Sequence, residues 1–162
     1  MVTLTLDRMA TGGITDHLGG GFHRYATDAE WLIPHFEKML YNQALLVPVY
    51  LKAYELTANE AYADIVHRVL AFVSRELSGS HGGFLSALDA ETNAIEGLYY
   101  LWHRSDIESR LGTKAVELFA EYSVEPMPEG ELGGVLYRKT DRPVTPETRA
   151  LLDELLAERS KR

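Results

Sequence analysis

His23, Arg24, Tyr25, Asp28, His35, Glu37 and Lys38 fall within sixteen positions of a 162-residue chain. Imidazole, guanidinium, carboxylate and ammonium groups at such density are the ones that move protons and stabilise developing oxyanions, so they point to a pocket for acid–base work. A structural account stands beside that one. A lone histidine is commonly a hydrogen-bonded core residue, and Glu37 and Lys38 fit an exposed first helical turn, where a carboxylate also suits the helix dipole. Metal chemistry is not suggested. The His35-Phe36-Glu37-Lys38 order lacks a second histidine four positions on, and no carboxylate stands at ligand spacing from His17 and His23. No organic cofactor is suggested either.

The same stretch holds Gly19-Gly20-Gly21. A phosphate loop needs a Lys-Ser/Thr pair and a dinucleotide fingerprint needs a preceding strand; these glycines have neither. They read as backbone that needs positive φ or close approach, with a pocket-floor loop as the alternative.

Further on, Asp89, Glu91 and Glu96 form an acidic group. Two carboxyls across a scissile bond are the usual requirement for glycoside hydrolysis, and Asp89, beside an expected strand, is the better candidate of the three. Phe22, Tyr25, Trp31, Tyr41, Tyr99, Tyr100 and Trp102 can be plain core, yet rings beside polar groups are also how proteins hold sugars.

The elements that must position these groups read as mainly α. Thr11 to Glu30 is a long loop, and loops of that length in a compact domain are usually functional or disordered; this one is too aromatic for disorder. From about His35 to Glu55 the chain is apolar nearly all round, which predicts a helix buried on most sides and kinked at Pro48. Asn59 is the expected N-cap of an amphipathic helix to about Leu77, with Tyr62, Ile65, Val66, Val69 and Val73 on its core face. An inner helix joined briefly to an outer one is an αα-hairpin, the repeating unit of (α/α) toroids.

A small β-hairpin is expected from Phe84–Asp89 and Leu98–Trp102. Ser105 and Glu108 form a capping box for a short helix ending at Gly112, Thr113 caps another, and a strand is expected at Val135–Tyr137. Thr145-Pro146 then opens a last helix with a narrow leucine stripe and a basic end suited to the dipole. The expected division is a domain over 1–143 and a loosely attached C-terminal helix over 144–162.

Twenty-four acidic against sixteen basic residues give a net charge of −8, which repels phosphate backbones and anionic lipid and argues against a nucleic-acid partner. The absence of cysteine excludes disulfides and thiolate chemistry and fits a reducing, cytoplasmic setting. No segment reads as a signal peptide or membrane span.

The runs "GGITDHLGGGFHRYATDAEWLIPHFEKMLYNQALL", "GGFLSALDAE" and "EGLYYLW" resemble the thioredoxin-domain-containing proteins of the spermatogenesis-associated type. The resemblance covers Leu4 to Trp102 strongly and weakens to about Pro143. It implies a six-hairpin α-barrel similar to N-acylglucosamine 2-epimerases and glycosidase-like toroids, of which this chain reads as a fragment. The family's thioredoxin-like part is missing, so no redox role carries over; Pro48 and "GELGGVLYRK" are further departures.

By analogy with the epimerases, the resemblance implies that His23 and His35 exchange the proton beside an open-chain carbonyl, that Arg24 stabilises the enolate and that Asp89 joins the catalytic set. Phe22, Tyr25, Asp28, Trp31, Glu37 and Lys38 would bind a small carbohydrate. The alternatives are a non-catalytic structural or binding segment, or an inactive truncated product. A partial toroid leaves its inner helix incompletely covered, so self-association through an apolar face is also expected.

Overall fold

The computed structural model describes residues 1–128 and 131–162; the first residue of "GELGGVLYRK" lies outside them. The chain is mainly α with small antiparallel two-stranded hairpins, as its periodicities predict.

The outer member of the αα-hairpin forms largely as read. Helix α3, Glu60–Phe72, starts at Asn59, whose side chain accepts from the Ala61 amide, and its last turn, Val73–Leu77, widens to π geometry. Its core face meets the inner helix α2, Leu40–Thr57, and helix α1, Val2–Thr11, which the sequence reading did not anticipate. Leu6, Phe22, Tyr50, Ala53, Tyr62, Ile65, Val66 and Val69 form the core between them.

Helix α2 begins five residues later than its pattern suggests. Pro34–His35 is strand β2, paired with β1, Tyr25–Ala26, while Lys38–Met39 is strand β3, paired with β4, Ala87–Leu88. His35 and Lys38 are therefore not one helical turn apart. The expectation of all-round burial also fails: Gln43, Tyr50 and Ala53 are buried, but Tyr41, Leu45, Val49, Leu51 and Leu56 are exposed.

The expected hairpin of Phe84–Asp89 with Leu98–Trp102 is replaced by a different pairing. Strand β4 joins β3, β5 (Glu91–Thr92) pairs with β6 (Ile95–Glu96), and Trp102 bridges Gly134. Only Ala87–Leu88 of the first expected strand is a strand, and Leu98–Tyr100 of the second turn back on Gly97, because pairing is set by tertiary neighbours.

The second half packs α4 (Arg104–Leu111), α5 (Ala115–Glu121), the hairpin β7 (Tyr122–Pro126) with β8 (Gly134–Arg138), and α6 (Pro146–Arg159). Thr145 caps α6 by accepting from the Thr148 amide, with Pro146 in the first turn. This is the helix expected to be loosely held. Leu151, Leu152 and Leu155 are buried against Trp102, Ile107, Leu118 and Tyr122, and each such side chain contributes about 1.5–3 kcal/mol. Its last residue, Arg159, is buried as well. No helix among the described residues is long and apolar enough to cross a membrane.

Candidate functional site

The loop from Gly12 to Glu37 runs between the two cores, and its central feature is Asp16. The Asp16 carboxylate accepts from the amides of Leu18 and Gly19, from both terminal nitrogens of Arg159, and from Lys38 Nζ at 2.6 Å. All three charged side chains are almost wholly buried. Lys38 Nζ also donates to the Gly20 carbonyl at 2.8 Å and stands 4.3 Å from the centre of the Phe72 ring. Arg68 donates to the carbonyls of Asp16 and His17, and Arg75 to that of Gly19.

The glycine run is what lets the chain pass this cluster. A Cβ on Gly20, at φ +79°, would lie 2.5 Å from the Arg68 carbonyl oxygen, and one on Gly19 would lie 2.5 Å from the Arg159 guanidinium. The glycines thus serve close backbone approach, as the simpler of the two sequence readings has it.

Burial alone would raise the Asp16 carboxyl, but Arg159 and Lys38 beside it hold it well below the usual carboxylate range. Burial lowers Lys38 to about 8, against the opposing pull of Asp16 and with Arg159 and Arg75 adding to the fall. Asp16 is consequently a fixed anion with every strong contact occupied, unable to serve as a proton donor near neutrality. Lys38 is a charged donor close to the point of losing its proton.

This cluster floors a cavity of about 300 Å³. Phe72, Tyr99 and Tyr100 supply its rings, Lys38, Asp16 and Arg159 its floor, and Arg75, Glu76, Asp89 and Thr92 its polar remainder. Asp89 is exposed, and its Oδ1 accepts from the Glu91 amide. A larger concavity of about 750 Å³ beside α1 is lined by none of the residues singled out in the sequence and by one ring, Tyr137. The smaller cavity is the site to which the chemistry points.

Of the residues picked from the sequence, Lys38, Asp89 and the rings of Tyr99 and Tyr100 line this cavity. His23 is buried just behind it, its ring 4.6 Å from that of Tyr100 and its Nδ1 2.9 Å from the Phe36 carbonyl, so Nδ1 carries the hydrogen. Burial, with Lys38 nearby, lowers His23 to about 3.

His35, Arg24, Glu37 and Tyr25 lie together elsewhere. His35 bonds Glu96 at 2.6 Å and stacks on Tyr25, while Arg24 pairs with Glu37 at 2.9 Å. Asp28 accepts from the amides of Glu30, Leu32 and Ile33 and so fixes a turn that holds Trp31 at φ +66°. Phe22 stacks on Tyr50 in the core. The structure divides the expected residues into a cavity group, a surface network and three structural positions, Phe22, Asp28 and Trp31.

Asp16, Arg159, Arg75, Glu76, Thr92 and Phe72 are the participants that sequence reasoning missed. A signal existed for Asp16, an Asx residue leading into a glycine turn. None existed for Arg159, which meets it across 143 positions. Among the described residues no three His, Asp or Glu side chains converge as metal ligands would.

A mainly α chain with a polar, ring-walled cavity over a buried Asp16–Lys38–Arg159 cluster is the class defined by this fold and site. No protein-family profile matches the chain. It is similar to spermatogenesis-associated protein 20 of Mus musculus, 44% identical over 138 residues that make up 82% of this chain and 17% of the relative. The Homo sapiens protein of that name is 42% identical over 138 residues, with the same shares of each chain. An uncharacterized Caenorhabditis elegans protein is 38% identical over 125 residues, 72% of this chain and 17% of its own length. The chain therefore spans about a sixth of the length of these relatives.

Proposed function

We propose that the cavity over Lys38 and Asp16 binds a sugar-sized, hydroxyl-rich ligand, and that the chain is the carbohydrate-site portion of a spermatogenesis-associated type protein with an epimerase-like or glycosidase-like architecture. One observation carries this reading. A space of about 300 Å³ is walled by Tyr99, Tyr100 and Phe72 and edged by the polar groups of Asp89, Thr92, Glu76 and Arg75. Ring faces cover the apolar side of a pyranose while charged groups bond its hydroxyls.

In an epimerase-like reaction the base must reach the carbon beside the open-chain carbonyl, and a cation must meet the enolate oxygen. Of the four catalytic residues assigned from the family resemblance, Asp89 is the one on the cavity and takes the base role. Arg75, the half-exposed cation of the cavity, meets the oxygen. His23, behind Tyr100, supports the wall, and the His35–Arg24–Glu37 network orders the strands that present Lys38.

The test is a thermal-shift screen of aldoses and amino sugars against the intact chain and its Asp89→Asn and Tyr100→Leu variants. Asp89 is exposed, so its variant should keep the melting temperature of the unliganded protein and lose the ligand-induced shift. No shift with any sugar, or an equal shift in the Asp89 variant, would remove this reading.

A second reading is favoured by the saturation of Asp16. Its five accepted hydrogen bonds lock the loop to α6 and β3, as they would in a non-catalytic structural segment. Under it, Asp16 variants unfold the protein and Asp89 variants do nothing.

A further inference from the structure

The charges on the cavity floor do not balance. Lys38 and Arg159, each at least 97% buried, share the single carboxylate of Asp16. Arg68, the next cation along, meets the carbonyls of Asp16 and His17 and no carboxylate among its hydrogen bonds. Arg75 reaches the Gly19 carbonyl, and its own partner, Glu76, is a half-exposed side chain at the rim.

Polar valences are left over as well. Arg159 Nε is buried with no partner among the described residues, and Lys38 uses two of its three ammonium protons on oxygen. The rings of Phe72, Tyr99 and Tyr100 lie beside these cations and soften the surplus without neutralising it. A buried positive charge without a counterion is costly, and burial is tolerated where an anion completes the site.

We propose that the floor of this cavity receives an anionic group, a carboxylate or phosphate carried by the sugar-sized ligand, seated against Lys38 and Arg159. This rests on the cavity being a sugar site and narrows its occupant to an acidic sugar. The orientation follows from the rim. Asp89 is exposed and Glu76 half-exposed, whereas Lys38 and Arg159 are buried, so the two outer carboxylates repel an anion and accept hydroxyl hydrogens. The acidic end of the ligand points inward and its hydroxyls face the mouth.

Calorimetric titration of the intact chain with glucose, glucuronate, glucose 6-phosphate and sodium sulfate at neutral pH tests this. Glucuronate or glucose 6-phosphate should bind at least about tenfold tighter than glucose, the size of a good charge-assisted contact; which of the two prevails separates carboxylate from phosphate. Lys38→Met should collapse that ratio, and Arg75→Gln, at a half-exposed rim position where folding is not at stake, should lower it too.

Glucose binding as tightly as both acidic sugars overturns the anionic floor and leaves the sugar site intact. Sulfate matching the acidic sugars, with no gain from the ring, upholds the anionic floor and overturns the sugar site. Binding by none of the four overturns both.

Discussion

Arg159, the last residue of α6, donates both terminal nitrogens to the carboxylate of Asp16, at 2.9 and 2.8 Å across 143 positions of sequence. The pair ties the C-terminal helix to the loop that presents Lys38. Because Asp16 is the one anion among buried cations, the three partners should respond unequally to removal. Asp16→Asn leaves two buried cations without a counterion and should cost about 3–5 kcal/mol. Arg159→Met leaves an Asp16–Lys38 pair but detaches the helix end. Lys38→Met leaves a balanced Asp16–Arg159 pair and should cost least. Urea unfolding of the three variants checks the order; an Asp16 variant as stable as the Lys38 variant contradicts the charge surplus.

Acid should destabilise the fold before any carboxylate titrates. Burial, with Arg68 close by, lowers His17 to about 3, and burial likewise lowers His23 to about 3. An unfolded histidine protonates near 6.5. Between these values the unfolded chain binds protons that the folded chain excludes, so stability falls as pH falls through this window. Each histidine contributes on the order of 4 kcal/mol to the loss once pH reaches about 3. Asp16, held ionised, extends the loss below the ordinary carboxylate range. His23→Asn keeps a donor toward the Phe36 carbonyl and removes the titration, so its urea midpoint should vary less between about pH 7 and 4.5 than the parent's. Equal slopes would mean that the His23 ring is accessible to protons in the folded state.

Gly20→Ala should destabilise the chain without abolishing its fold. The residue sits at φ +79° with its missing side chain aimed at the Arg68 carbonyl oxygen. Backbone strain at such a position costs about 1–3 kcal/mol, and the close approach adds to it. A thermal melt shows this directly. An unchanged melting temperature would mean that the loop relaxes away from α3, and the Lys38–Gly20 hydrogen bond with it.

Features of the fold that depend on near neighbours were legible in part, since α4 starts at Arg104 without the expected Ser105–Glu108 capping box and α5 without a Thr113 cap. Asn59 before α3 and Thr145-Pro146 before α6 act through amides two and three residues on, and both are seen. The start of α2 was not legible. Phe36 to Met39 carry helical spacing, yet the pairing of Lys38 with Leu88 and the reach of its ammonium to Asp16 hold them extended. The site was legible by residue type and not by grouping. His35 and Lys38 differ by three positions and, in extended chain, fall in different hairpins, one on the surface network and one on the cavity floor. Arg159 looked like a helix-dipole complement, because nothing local to the C-terminus encodes a partner in the glycine loop.

The uncovered side of α2 bears on solution behaviour. Tyr41, Leu45, Val49 and Leu56 recur at helical spacing and are exposed, Leu45 by 67% and Leu56 by 75%. An exposed apolar stripe of this kind, interrupted only by Lys52, seeks a partner surface, and a second copy of the chain offers the same stripe. One helix face buries less than the roughly 1,200 Å² of a standard stable interface, so the association should be weak and transient. Sedimentation velocity over a concentration series should show a rising mean coefficient, and Leu45→Glu with Val49→Lys should flatten it while leaving the thermal melt of the dilute protein unchanged. A concentration-independent monomer in the parent chain would show that this face stays solvated despite its composition.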